Sequence, residues 1–67
     1  MKKLAKRLGK NITQKRMKLG MTQEKLAYEN DISKGYLSEI ESGKKLPSLE
    51  MLLIIAEALD VDIKELF

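Results

Sequence analysis

The sequence predicts an all-α chain of five short helices around one small core, on three observations. Apolar residues recur at helical spacing through nearly all of its 67 residues, and no stretch alternates as a half-buried strand would. Thr22, Ser33, Ser48 and Asp62 each stand directly ahead of an apolar run, where the orphan N–H groups of a helix start need a side-chain acceptor. Gly20 follows the first helical stripe and Gly43 the run headed by Ser33, as helix stops do.

The first helix is expected over residues 3–18, with Leu4, Leu8, Ile12 and Leu19 as a slowly drifting apolar stripe. Gly9 is a weak point within it, since glycine in a helix costs about 1 kcal/mol relative to alanine. The second helix starts from Thr22, turns Leu26 and Ala27 inward, and ends after barely two turns near residues 29–31. The third is capped by Ser33 and stopped by Gly43, and "KKLP" follows as a loop. From Ser48 a fourth helix runs to about Leu59, with Leu49, Leu52, Leu53, Ile55, Ala56 and Leu59 toward the core. The fifth is signalled by "VDIKELF", in which Asp62 and Glu65 have capping-box spacing and Val61 and Leu66 that of a hydrophobic staple.

One domain is all that 67 residues support, and at this size only about 60% of the unfolded surface is buried. There is no cysteine and no histidine, so disulfides, thiolate metal sites and the commonest general base are excluded. No nucleophile, base and orienting group come together in any motif, which argues against an enzyme, a metal or a cofactor. The sequence has no apolar run long enough to span a bilayer and no secretory leader, so a soluble, cytoplasmic protein is expected.

Charge is distributed unevenly. Residues 1–45 carry twelve Lys or Arg against five acids, and residues 46–67 one Lys against five acids, so +7 is followed by −4. The first eighteen residues hold eight basic side chains and no acid, which suits a polyanion or equally a solvated lysine-rich helix face.

Two charges sit on apolar faces. Ile12, Arg16 and Leu19 share one side of the first helix, and Leu37, Ile40 and Glu41 share one side of the third. A buried guanidinium without a partner costs several kcal/mol, so Arg16 and Glu41 are expected to pair across the two helices. The alternative is that both reach outward to solvent.

From Arg16 to Leu59 the order of features resembles the Cro and phage-repressor (Xre) type of helix-turn-helix domain. The residues that carry the likeness are "KRMKLGMTQEKLA", "ISKGYLSEIESGKKLPS" and "LLIIAEALDV". The resemblance implies a lambda-repressor-like bundle forming a single domain over residues 1–67, with the motif at about 22–42 and residues 48–67 supplying core and dimer contacts. The Arg16 and Glu41 pair recurs in such domains. One departure is Asp31 at the turn position usually held by glycine. Positive φ there would cost on the order of 1 kcal/mol and leave the fold intact.

By the same resemblance the third helix enters the DNA major groove, with Lys34, Gly35, Ser38 and Glu39 toward base edges. Gly35 would allow close approach of the backbone, or be merely tolerated. Gln23, Tyr36, Ser42, Lys44, Lys45, Lys10 and Lys15 are the expected phosphate contacts, a packed ring being the alternative for Tyr36. Met51, Ile54, Ile55 and Ala58 lie outside or at the margin of the core arc, so a homodimer is expected through Ile54, Ile63, Leu66 and Phe67. Its two recognition helices would stand about 34 Å apart on a pseudo-palindromic operator. The implied function is sequence-specific transcriptional regulation on double-stranded DNA. The alternative is a protein-interaction module on the same fold, such as an antitoxin or a regulator subunit.

Overall fold

The computed structural model describes residues 2–67. Four α-helices follow one another: α1 over Lys2–Lys18, α2 over Gln23–Glu29, α3 over Lys34–Glu41 and α4 over Leu49–Ala58. The expected fifth α-helix is instead a single 3-10 turn, Ile63–Leu66, and no strand occurs among the described residues. Its Asp62 and Glu65 do form the reciprocal capping box, with Lys64 N–H donating to Asp62 and Asp62 N–H to Glu65. Four residues are too few for i to i+4 bonding to repeat, so the tighter i to i+3 pattern wins.

Thr22, Ser33 and Ser48 each accept from the N–H three residues on, at 3.0–3.1 Å. All four helices end the same way. The residue after the cap turns left-handed: Gly20 at φ 72°, Asp31 at 55°, Gly43 at 80° and Asp60 at 56°. The next N–H then reaches back to close the last turn, from Met21 to Arg16 O, Ile32 to Ala27 O, Lys44 to Glu39 O and Val61 to Ala56 O, at 2.9–3.1 Å. Aspartate is tolerated at two of these turns because it is among the few side chains that adopt positive φ at modest strain. At Gly43 it would not be, since a Cβ there would come within 2.9 Å of the Lys6 Cα.

The core is one cluster fed by every element: Leu8 and Ile12 of α1, Leu26 and Ala27 of α2, Leu37 and Ile40 of α3, Leu52, Ile55 and Ala56 of α4, then Leu59 and Leu66. Three expectations for apolar residues are corrected. Leu19, at the drifting end of the α1 stripe, is exposed because the helix stops at Lys18 and the chain turns away. On α4, Leu49 and Leu53 are exposed while Ile55 is fully buried. At 100° per residue, Leu52, Ile55, Ala56 and Leu59 span an arc of about 100°, and Leu49 and Leu53 fall beyond its edge.

Leu66, expected at the dimer contact, is fully buried and closes the base of the core. Asn11 of α1 ties it down, its amide donating to Leu66 O at 3.0 Å. Phe67, one residue on, is left outside with 47% of its surface exposed.

Candidate nucleic-acid interface

The approach of α1 to α3 is set by Gly9. An added Cβ would collide with the backbone of α3, meeting the Ile40 carbonyl oxygen and standing 2.6 Å from that of Glu41. The residue that weakens α1 as an isolated helix is therefore what admits α3 to its side.

Next to this crossing lies a network of four side chains from three helices. Arg16 Nε donates to Glu41 Oε2 at 2.9 Å and Nη2 to Oε1 at 3.0 Å, while Nη1 donates to the Met21 carbonyl. Gln23 Nε2 at the start of α2 donates to Glu41 Oε1 at 3.0 Å. The Thr13 hydroxyl lies 2.8 Å from that same oxygen and 2.9 Å from Gly9 O, and its single proton serves one of them at a time. The Glu41 side chain is 3% exposed and that of Arg16 12%. Burial raises the Glu41 pKa, but donors from Arg16, Gln23 and Thr13 outweigh it and hold the carboxyl below its usual range. Among the described residues no buried side-chain N or O lacks a partner.

With Leu37, Ile40 and Glu41 turned inward, α3 presents its other side to solvent. Lys34, Gly35 and Ser38 are exposed and Glu39 is half-buried. Gly35 has nothing within 4 Å of where a Cβ would stand, so no neighbour in the monomer requires glycine there. Beyond α3, Lys45 lies with its ammonium 5.9 Å from the Tyr36 ring centroid and 3.4 Å from Glu39 Oε1. Ser42 donates its hydroxyl to Glu39 O at 3.2 Å, and Lys44 is exposed.

Lys10 is exposed on α1, whereas Lys15 reaches Glu65 at 3.5 Å beside the C-terminal turn. Gln23 is half-buried, with one amide hydrogen used by Glu41 and the other left over. Sequence reasoning missed the roles of Thr13 and Gln23 in the Glu41 network. Thr13 carries a usable signal, because it precedes Arg16 by three residues and so shares its face.

Of the expected dimer residues, Ile54 and Phe67 are exposed and Ile63 is half-buried. Ile63 lines a shallow groove with Leu53, Ala56 and Val61, whereas Ile54 is exposed on the far flank of α4, about 100° round the helix from Leu53.

A helix-turn-helix family model matches residues 12–66 of the chain. Control protein C.BamHI of Bacillus amyloliquefaciens is 42% identical over 59 residues, which are 87% of this chain and 73% of that protein. The restriction-modification controller protein C.AhdI from Aeromonas hydrophila has a similar structure, with a TM-score of 0.89 at 32% identity over 94% of this chain and 96% of that one. The controller protein C.Esp1396I, solved as a tetramer with its natural 35 base-pair operator, matches with a TM-score of 0.81 at 31% identity over 94% and 93%. Coverage from the later part of α1 to the C-terminal turn by one family model, with a relative at 42% identity, establishes the relationship: the chain belongs to the helix-turn-helix family.

Proposed function

We propose that this chain is a sequence-specific transcriptional regulator that binds a pseudo-palindromic operator in double-stranded DNA as a homodimer and acts by occupancy, without catalysis or cofactor, in the cytoplasm. The observation that carries the reading is the division of α3 into a face locked into the core by Leu37, Ile40 and Glu41 and a face open to solvent. The relatives named above, three control or controller proteins of which one was solved on its operator, support the same reading.

Lys34, Gly35, Ser38 and Glu39 are the proposed base-reading positions: Lys34 donates to guanine O6 or N7, Ser38 pairs with several bases, and Glu39 accepts from cytosine N4. Gln23, with its free amide hydrogen, and Tyr36, Ser42, Lys44, Lys45, Lys10 and Lys15 contact phosphates. Dimerisation uses the acidic C-terminal end, through Ile54, Ile63 and Phe67, joined by Leu53 beside Ile63. That end carries the chain's negative excess, which keeps it away from DNA.

Fluorescence anisotropy with a mixed-sequence duplex at two salt concentrations, followed by selection from a random oligonucleotide pool, tests the proposal. Binding that weakens steeply with salt and enrichment of a two-fold-related motif are expected. Lys34→Ala should relax preference at one base pair by about 1–3 kcal/mol. An absence of salt-dependent binding would assign the chain to protein interaction instead.

A further inference from the structure

Two lysines on the open side of the motif, Lys34 and Lys45, are paired with carboxylates. Lys34 Nζ lies 3.6 Å from Glu24 Oε1, and this pair joins two elements, since Glu24 is in the first turn of α2 and Lys34 opens α3. Both residues border one shallow recess that Lys25, Ala27 and Tyr28 also line. Neither serves the core: the Glu24 side chain is 75% exposed and that of Lys34 63%.

Resting on the DNA-binding reading above, we infer that Glu24 is a specificity-determining residue that acts through Lys34, penalising random DNA more than the preferred site. The reason lies in the chemistry of the ammonium group, which has three donors and no acceptor. Against a phosphate of random sequence, the charge that Lys34 offers is already partly neutralised by Glu24, so the contact adds less than a free ammonium would. Glu24 is also carried toward the DNA backbone, where like charge repels. A guanine edge is different. O6 and N7 are neutral acceptors, and Lys34 can donate to them while its ammonium keeps Glu24 as a nearby counter-ion. The carboxylate therefore subtracts from the phosphate contact and leaves the base contact nearly intact. It also orients a side chain that would otherwise sample many rotamers before finding the base.

The test is Glu24→Gln, nearly isosteric and at an exposed position, compared with the native chain on two duplexes. One is a mixed-sequence duplex, the other the site selected by the native chain from a random pool. Glu24→Gln should tighten binding to mixed-sequence DNA about two- to fivefold. The slope of log K against log salt should steepen by about 0.9, for one more phosphate neutralised. Affinity for the selected site should change by less, so the ratio between the two falls.

Lys34→Ala and the double variant then separate action through Lys34 from simple repulsion. A positioning role requires the Glu24→Gln effect to shrink in the Lys34→Ala background. An undiminished effect there would overturn it, as would an unchanged ratio in the single variant. If the native chain itself showed no salt-dependent DNA binding, the proposed function would fall and this inference with it. Native binding with an unaffected ratio would overturn the inference alone.

Discussion

Replacing Gly9 by alanine should destabilise the protein, although the same exchange inside an ordinary helix is favourable by about 1 kcal/mol. The reversal comes from what the new methyl group would meet. It would be driven into the α3 backbone, overlapping the Ile40 carbonyl oxygen and approaching the Glu41 carbonyl oxygen to 2.6 Å and its carbon to 2.9 Å. These atoms cannot swing aside as the tip of a side chain does, because both carbonyls belong to the last turn of α3. Relief requires the two helices to separate by several tenths of an ångström, which loosens Leu8 and Ile12 against Ile40 and lengthens the Arg16 to Glu41 bonds. Overpacking of this kind costs typically 1–3 kcal/mol, and a site closed by backbone belongs at the upper end. Net of the helix-propensity gain, a loss of about 1–2 kcal/mol is expected. For a domain of this length that lowers Tm by roughly 5–15 °C. Urea and thermal unfolding followed by circular dichroism would measure it. A midpoint equal to or above that of the native chain would refute the close crossing.

Gly35→Ala should do the opposite to the fold, gaining up to about 1 kcal/mol because its Cβ meets nothing. If the groove wall approaches α3 closely, the same change weakens DNA binding, and an unchanged affinity would show that the glycine is merely tolerated. The lowered Glu41 pKa means the unfolded chain binds the proton more readily, so this group adds stability above the ordinary glutamate value of 4.5 and loses it as pH falls through the folded value. Glu41→Gln should flatten that acid limb in urea titrations between pH 3 and 7, and lower stability near neutrality by about 3 kcal/mol through the unpaired Arg16. An acid limb as steep as the native one would assign it to other carboxylates. Leu66→Ala should cost about 2–5 kcal/mol by opening a cavity. Phe67→Ala should leave monomer stability nearly unchanged and reduce self-association in sedimentation, whereas a large loss of monomer stability would place the ring in the core.

Where sequence and structure agree, the signal is local or stands out from its surroundings. Caps at Thr22, Ser33 and Ser48 need only a hydroxyl three residues from an N–H, and Asp31 announces itself as a polar residue between two helical runs. Arg16 and Glu41 are conspicuous because each is a charge on an otherwise apolar face, and they meet at 2.9 Å.

What escaped notice depends on where a second element lies. The apolar residues of α4 run almost all round it, so periodicity could not choose between Leu53 and Ile55 for the core. Gly9 reads as a defect until α3 is laid across it. Leu66 looks like a loose end until Asn11 anchors its carbonyl, and a capping box alone does not distinguish one 3-10 turn from the start of an α-helix. On the open face, the resemblance pointed to Lys34 but not to Glu24, because the nine residues between them include the turn whose geometry brings them together.

The segregation of α3 has a consequence for how such a chain changes over time. Lys34, Gly35, Ser38 and Glu39 make no side-chain contribution to the core, and the bonds that close the helix use the Glu39 carbonyl rather than its side chain. Those four positions can therefore be varied together, in a laboratory library or across generations, with little risk to folding. The cost of innovation falls on affinity alone, so a lineage can drift from one target to another without passing through an unfolded intermediate sequence.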